Sequence, residues 1–435
     1  MKAVKEVFSE YFSLDDSLFG KKEQWKMWCY IGAYFILSLN IVPIDVILAV
    51  ITLLFIISST KLCFFQYVFY LLFENVMVFS FGITCNLVFH LILLVKIVLF
   101  SPKCLNYAFH HKLFSISFAW LLYTLFYGAF SFLLGHGFTG FNIFFKSVFF
   151  IYSLSYLYSN ESVAAFWKTI FQLLSISVLI TVLYGYRYDT GLERWVEGLD
   201  EEFGSQLYGT LGTTRTGLFT IVGFIYAVYF VKNNILKVGL AILYVALTFM
   251  TMSLTATALL VMAVAIFFWQ KGYFKIRKIA LFSIVLFVAI SFSYPFLSEL
   301  SIVKPVILRI ENTTQAVLEG DLNKATSNRE ELSDVYWEKF QQNSIPTQLF
   351  GEGKTAALGT ISSVDMNSHN TYLDMLFYYG IIGVIFILYC SVRKLSYYRL
   401  YNCFYPILTL KLLFIVGGAS VSVFSISYYV FLMLI

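Results

Sequence analysis

Long apolar segments follow one another along nearly the whole chain, and this feature constrains the fold more than any other. Of 435 residues, 59% are hydrophobic and 13% are charged, whereas soluble domains carry about 25% charged residues. Because a bilayer core needs about 20 apolar residues in a helix, the pattern predicts an all-α polytopic membrane protein. We expect about 12–14 transmembrane helices and a large helical outer loop.

The positions of the basic residues orient these segments. The candidate spans are residues 25–39, 43–59, 62–81, 83–100, 113–134, 140–158, 164–185, 216–231, 235–251, 254–269, 279–297, 372–390, 404–417 and 419–435. With the amino terminus in the cytoplasm, the lysines and arginines of the short loops fall inside, as the positive-inside rule requires. The short turns around Asn40, Gly82 and Met252 then face outward and carry no basic residue. Residues 186–214 and 298–371 form two outer loops.

This topology divides the chain into four parts. They are an N-terminal transmembrane bundle of about seven spans (residues 1–185), the first outer loop with the central spans (186–297), the long outer loop with short helices (298–371), and the C-terminal spans (372–435). None of the six cysteines lies in either outer loop, so we expect no disulfide-stapled outer domain. No cysteine pair has the spacing of metal ligands, and no metal site is expected.

Arginines on the predicted outer side are candidates for binding an anion. Arg215 lies where a span begins, and Arg309 and Arg329 lie in the long outer loop. A guanidinium group binds phosphate oxygens in a bidentate manner and stays charged when partly buried, as an outer-leaflet pyrophosphate lipid would need. Arg187 and Arg194, in the shorter loop, are weaker candidates. The alternative roles are an ion pair with glutamate and a lipid headgroup anchor.

A histidine lies where the long outer loop returns to the membrane. Unlike the other histidines, His369 belongs to a long outer loop. Histidine titrates near neutral pH, so it can act as a general base toward a sugar hydroxyl or orient one. A lone histidine is more often a hydrogen-bonding surface residue. Asn370 follows it directly, and Asp374 lies one helical turn further, where it could pair with an arginine.

The long outer loop is predicted to contain helices of its own. Apolar residues at helical spacing mark residues 302–319. Ser327 and Glu330 have the capping-box pattern, so a second helix is expected to begin near Asn328. Its apolar stripe, suited either to lying on the membrane or to packing over the spans, consists of Leu332, Val335, Tyr336 and Phe340.

Proline and glycine mark the end of this loop. Pro346 is expected to end the second loop helix, and residues 350–353 to form a tight turn that brings the chain back over the membrane. Gly380 and Gly383, in the span that follows, are expected to allow close helix packing just below the histidine.

These motifs together resemble the O-antigen ligase and polysaccharide polymerase superfamily of membrane glycosyltransferases, which includes the Wzy-type polymerases. The resemblance rests on His369-Asn370 followed after nine residues by Gly380-x-x-Gly383, on the segment 215–219 that opens a span with Arg215, and on Arg329 ahead of the 350–353 turn. It covers roughly residues 186–390. One departure is Ser253-Leu254-Thr255, where the family often has Ser-Arg-Thr, so one basic contact is absent or comes from elsewhere.

The resemblance implies transfer of a glycan from an undecaprenyl-pyrophosphate carrier to a sugar acceptor, on the outer face of the bacterial cytoplasmic membrane. It implies no metal, cofactor or nucleic acid, and it makes a flippase and a chain-length regulator the associated proteins to look for. By resemblance, Arg215 and Arg329 hold the pyrophosphate, and His369 activates or orients the acceptor hydroxyl. The expected substrate-binding residues are Arg309, Arg194, Asn370 and Asp374.

Three function classes remain open at this point. The first is a polymerase of lipid-linked repeat units for a capsule or O-antigen, and its close alternative is a ligase that moves the finished glycan to a lipid A core or a protein. The second is a transporter such as a lipid-linked oligosaccharide flippase, which predicts internal repeats and broken helices. The third is a scaffolding protein. Ionisable residues predicted within spans are functional candidates, and they include Glu74, Lys96, Lys146 and Lys411. The three lysines could instead snorkel, and Glu74 is the residue that a transporter interpretation has to explain.

Overall fold

The described part of the chain is helical. The computed structural model describes residues 11, 18–73, 76–80, 82, 84–100, 114–133, 144, 147, 163–187, 213–251, 253–272, 304–320, 329–351, 370–399 and 401–418. Within these residues the only β-structure is an isolated antiparallel bridge between Val78 and Thr84. The predicted all-α class is therefore confirmed for the described residues.

The helices follow the apolar segments of the sequence. They are α1 (Lys21–Leu39), α2 (Ile44–Ile56), α3 (Thr60–Tyr70), α4 (Cys85–Phe100), α5 (Phe114–Leu133), α6 (Val163–Arg187), α7 (Thr213–Phe230), α8 (Asn234–Met250), α9 (Leu254–Gln270), α10 (Lys304–Leu318), α11 (Arg329–Gln342), α12 (Ile345–Phe350), α13 (Thr371–Tyr398) and α14 (Phe404–Gly418). Local caps fix several starts, since Ser59 and Asn233 each accept backbone N–H groups of the following turn.

One predicted span is wrong in its second half. We expected a helix over residues 62–81, but α3 ends at Tyr70 and continues only as a short 3₁₀ turn to Phe73. The chain then turns back, because the Ser80 N–H donates to the Asp45 carboxylate at 2.9 Å and the Cys85 N–H donates to the Met77 carbonyl. The predicted spans 279–297 and 419–435, and almost all of 140–158, lie outside the described residues.

Two described helical stretches are long and apolar enough to cross a membrane. They are Val163–Gly185 and Thr371–Arg393, and further apolar helices of 10–17 residues accompany them. The 13 residues of α2 make a helix of about 20 Å, shorter than a hydrocarbon core of about 30 Å. The number of spans stays a prediction.

Helix α7 lies at the centre of the described bundle, where it packs against α6, α8, α9 and α14. Gly223 allows the closest of these approaches, because a Cβ there would lie 2.5 Å from the Tyr244 ring on α8. The Tyr244 hydroxyl is buried in a hydrogen-bonded group with the hydroxyls of Ser175 on α6 and Tyr11, at 2.6 and 2.8 Å. Polar contacts therefore fix the register of α6 against α8 inside an apolar bundle.

An ion pair connects the start of α1, which is its predicted cytoplasmic end, to the start of α3. The Glu23 carboxylate lies 3.3 Å from the Lys61 amine and accepts a hydrogen bond from the Ser59 hydroxyl at 2.6 Å. Partial burial acts to raise the pKa of Glu23, but the Ser59 hydrogen bond and the Lys61 charge outweigh it, so this pKa lies below its usual range.

Candidate functional site

The C-terminal half of α14 contacts both α7 and α13 near their amino-terminal ends. The Tyr372 hydroxyl, in the first turn of α13, donates to the Ile415 carbonyl of α14 at 2.6 Å. One residue earlier on α14, the Phe414 ring meets the Phe219 ring of α7 edge to face, with centroids 6.3 Å apart. The amino-terminal ends of α7 and α13 therefore lie at the same end of the bundle.

Arg215 lies on the first of these ends. It is the third residue of α7 and is half-buried. The turn between α8 and α9 packs beside it, since the Ser253 hydroxyl lies 3.2 Å from that of Thr214 and a Cβ on Gly217 would lie 2.9 Å from the Thr251 hydroxyl. The amino-terminal ends of α7 and α9 thus meet at Arg215. Their dipoles add to its positive charge, and the combination favours an anion.

Buried threonines support this end of α7. The hydroxyls of Thr220 on α7 and Thr248 on α8 lie 2.7 Å apart, and Thr248 donates onward to the Tyr244 carbonyl. Thr251 donates to the Thr248 carbonyl. Each of these three hydroxyls has a partner, so they hold α7 and α8 together without an unsatisfied polar group. This contact was not predicted from the sequence; its signal is threonine at three- and four-residue spacing in otherwise apolar helices.

Asn370 forms the second amino-terminal end. Its side-chain oxygen accepts the N–H groups of Tyr372 at 3.0 Å and Leu373 at 3.3 Å, so it is the N-cap of α13. Asp374 lies half-buried in the first turn of α13, where the helix dipole stabilises a carboxylate. Both predicted substrate-binding residues thus have a place in the helix start. His369 lies outside the described residues, directly before this cap.

Helix α11 of the long outer loop packs on α13. The rings of Tyr336 and Phe340 meet the Phe377 ring at centroid distances of 5.9 and 5.6 Å, and each is 2% exposed. The predicted packing of the apolar stripe over the spans is therefore confirmed for these two residues. The helix begins at Arg329, within one residue of the expected start. Arg329 is thereby on a helix anchored to the same span that begins after His369.

The predicted end of this helix is wrong. We expected Pro346 to terminate it, but α11 already ends at Gln342, and Pro346 lies in the first turn of a separate helix, α12. The physical reason is that Ser344 accepts the Thr347 N–H as an N-cap, and proline fits the first turn because its missing N–H is not needed there. Gly351, in the predicted tight turn, follows the last residue of α12 and has φ +77°; residues 352–353 of that turn lie outside the described residues.

The two glycines of α13 have different roles. Gly383 does allow close packing, as expected, because a Cβ there would lie 2.9 Å from the Tyr123 hydroxyl of α5. Gly380 instead interrupts the helix with φ +66° and ψ −178°. The backbone of Leu349 and Phe350 occupies the space where its Cβ would be, and a Cβ on Gly351 would in turn meet the backbone of α13.

A tyrosine compensates the interruption. The Tyr123 hydroxyl donates to the Tyr379 carbonyl, next to the break at Gly380. Trp120, also on α5, stacks on the Phe386 ring of α13 at 5.6 Å. The break is therefore filled by α12 on one side and by α5 on the other.

The remaining predicted residues are less informative about the site. Arg309 belongs to α10, in agreement with the helix expected over 302–319. Arg194, Glu74 and Lys146 lie outside the described residues, and Arg187 is the last residue of α6. Among the described residues no group of three or more His, Cys, Asp or Glu could hold a metal ion.

Two buried lysines have structural partners. Lys96 donates to the Ile56 carbonyl at 2.7 Å and to the Phe55 carbonyl at 3.0 Å, and so caps the C-terminal end of α2. Lys411 donates to the Ser391 carbonyl at 3.1 Å and is fully buried. The expectation that these two side chains snorkel to the membrane surface is not borne out by their contacts.

A comparison with known families supports the motif resemblance. Residues 239–388 match the family model Wzy_C, described as O-antigen ligase. The matched segment includes the α8–α9 turn beside Arg215, the helices α11 and α12, and the capped start of α13. No curated protein and no solved structure matches the chain. Family members are membrane-embedded, glycosyltransferase-like enzymes of the ligase or polymerase type. This match supports a relationship of residues 239–388 to the O-antigen ligase and polymerase superfamily.

Proposed function

We propose that this protein is a multi-pass glycosyltransferase of the bacterial cytoplasmic membrane. It polymerises undecaprenyl-pyrophosphate-linked oligosaccharide repeat units into a capsular or O-antigen-type polysaccharide on the outer face. The observation that carries the proposal is the junction at α14, where Tyr372 and Phe219 bring the start of α13 and the start of α7 together. Arg215 lies near the start of α7 and the histidine motif directly precedes α13 in sequence, which supports a shared site for the two.

The proposed reaction requires charge stabilisation at the leaving group. The guanidinium groups of Arg215 and Arg329 bind the donor's pyrophosphate, and the dipoles of α7 and α9 add to their field. The acceptor hydroxyl attacks the anomeric carbon of the donor sugar, and the bond from that carbon to the pyrophosphate oxygen breaks. His369 takes the hydroxyl proton or orients the hydroxyl, and the negative charge that develops on the pyrophosphate is stabilised by the arginines. No metal ion takes part in the proposed reaction.

The acceptor and the rest of the donor need further contacts. We assign this role to Arg309, Arg194, Asn370 and Asp374. The Asn370 oxygen already caps α13, so in this proposal Asn370 and Asp374 act mainly by fixing the start of the helix that follows His369. A repeat-unit flippase and a chain-length regulator are the proposed partners of the polymerase.

A ligase is the second candidate, favoured by the description of the matching family as O-antigen ligase. It would use the same residues and transfer the finished glycan to a lipid A core or a protein. A transporter would need a broken helix, and α13 is broken at Gly380. However, backbone of α12 occupies that break, so the break does not offer a binding site of the kind found in transporters.

The experiment is an analysis of surface glycans in a strain whose own copy carries His369→Ala, with the amount of membrane protein checked by immunoblot. Loss of the ladder, with single repeat units left on the acceptor, supports the polymerase. Long chains that accumulate on the lipid carrier identify a ligase. An unchanged ladder at normal protein level contradicts the role of His369 and favours the transporter class.

A further inference from the structure

A cavity of about 470 Å³ opens at the end of the bundle opposite Arg215. Its walls come from the start of α6, the end of α7, the start of α8 and the turn before α14. Along α7, Phe230 in the cavity wall lies 15 residues from Arg215, which is about 22 Å at the rise of an α-helix. The cavity is therefore separate from the candidate transferase site.

Three lysines line this cavity, each from a different segment. Lys168 lies on α6, Lys232 in the connection after α7 and Lys237 on α8; Lys168 and Lys237 are half-buried, and Lys232 is exposed. Asn402 adds a neutral amide at the rim. None of the described residues in the cavity wall is acidic. Lysine ammonium groups donate to phosphate oxygens, and three of them on one cavity wall favour an anionic ligand.

The helix ends at the cavity also contribute to its electrostatic potential, and their sum is positive. The first turns of α6 and α8 face the cavity with their positive ends, and the last turn of α7 faces it with its negative end. Each helix end is equivalent to about half an elementary charge, so two positive ends and one negative end together contribute a positive potential.

The apolar part of the wall narrows the class of ligand. Tyr229, Phe230 and Val231 line the cavity beside the lysines, so one region meets a charged group and another meets hydrocarbon. The volume lies within the range of about 300–1,000 Å³ found for small-molecule sites. All three lysines lie at or next to helix ends that the positive-inside rule places on the cytoplasmic side.

We propose that this cavity binds a phosphate group, supplied by the headgroup of an anionic phospholipid of the inner leaflet. Lys168, Lys232 and Lys237 surround the phosphate oxygens, Asn402 contacts the polar part of the headgroup, and Tyr229 and Phe230 contact the start of the acyl chains. Occupation of the site fixes α6, α7 and α8 relative to each other at the inner surface. The site is distinct from the proposed transferase chemistry and does not depend on it.

The test measures thermal unfolding of the purified full-length chain in detergent, as a function of added phosphatidylglycerol, phosphatidylcholine or inorganic phosphate. The variant is the triple change Lys168→Gln, Lys232→Gln and Lys237→Gln. The matched control removes the same charge from exposed lysines of the same predicted face, with Lys21→Gln, Lys22→Gln and Lys271→Gln. Unfolding without added lipid shows that each variant is folded, and single substitutions replace the triple variant if it is not.

We expect phosphatidylglycerol to stabilise the wild-type chain more than phosphatidylcholine does. Each cavity lysine removed should weaken the apparent affinity about fivefold, and the triple variant about 100-fold. The control triple should stay close to wild type. Stabilisation by inorganic phosphate to the same extent would confirm the phosphate site but assign it to a soluble ligand. Equal loss in the cavity and control variants, or no preference for an anionic ligand, would overturn the proposal.

Discussion

Replacement of Gly380 by alanine perturbs the joint between α12 and α13. At φ +66° and ψ −178°, a residue with a side chain is strained by about 1–3 kcal/mol. In addition, the new Cβ would lie 2.5 Å from the Phe350 nitrogen. This neighbour is main chain and cannot rotate away, so overpacking adds about 1–3 kcal/mol. We expect α12 to separate from α13 in a larger fraction of molecules.

Gly272 provides a control with a positive φ but without crowding. Its φ is also +66°, but a Cβ there would have no atom within 4 Å. Gly272→Ala therefore carries conformational strain at a site remote from the joint and no overpacking. The overpacking at Gly380 alone should raise the population of separated α12 about 5- to 150-fold relative to this control.

Limited proteolysis measures this population. When the segment opens and closes faster than the protease cuts, the cleavage rate follows the fraction of open molecules. Cleavage within Ile345–Phe350 should therefore be about 5- to 150-fold faster in Gly380→Ala than in Gly272→Ala. Equal cleavage rates in the two variants would refute the backbone joint between α12 and α13.

The remaining predictions concern single contacts. Tyr372→Phe removes the hydrogen bond to the Ile415 carbonyl and should cost about 0.5–1.5 kcal/mol in thermal unfolding; an unchanged midpoint would show that this bond does not join α13 to α14. Lys96→Met leaves the Phe55 and Ile56 carbonyls without their charged donor and should cost about 1.5–3 kcal/mol, whereas exposed Lys22→Met should change stability little. The pKa of Glu23 is lowered in the folded chain, so its ion pair stabilises the fold above the unfolded pKa of about 4.3 and loses this effect as the pH falls through the lower folded pKa. The midpoint of thermal unfolding should therefore fall less steeply between about pH 6 and pH 3 in Glu23→Gln than in the wild type. Parallel curves of midpoint against pH would contradict the role of the ion pair.

Helix positions were largely predictable because their determinants are local. Helix α8 was expected at residues 235–251 and runs over Asn234–Met250, and α9 was expected at 254–269 and runs over Leu254–Gln270. The start of α11 was also predicted, from a capping box and an apolar stripe. For α8 and α9, a run of apolar residues sets the length, and the N-caps Asn233 and Ser253 set the start.

The packing contacts between helices were not predictable from the sequence. A Gly-x-x-Gly pair favours close helix packing, and nothing local to Gly380 shows that a backbone segment 30 residues earlier fills its place. Pro346 was assigned as a terminator because proline breaks helices, although it also fits a first turn once Ser344 supplies the cap. The cavity lined by Lys168 and Lys237 depends on segments far apart in sequence. Charge patterning placed these lysines on one side of the membrane, but it could not group them.

The central claim is that Arg215 holds the pyrophosphate of a lipid-linked glycan for transfer. The most direct measurement is elongation of a labelled undecaprenyl-pyrophosphate-linked repeat unit. The assay uses the purified full-length chain in lipid nanodiscs, with a metal chelator in the buffer. The comparison is Arg215→Gln against Arg393→Gln, which makes the same change at an exposed site near the far end of α13. We predict elongation by the wild type and by Arg393→Gln, and a loss of at least about 100-fold in Arg215→Gln. Elongation at the normal rate by Arg215→Gln, or a requirement for a divalent cation, would contradict the account.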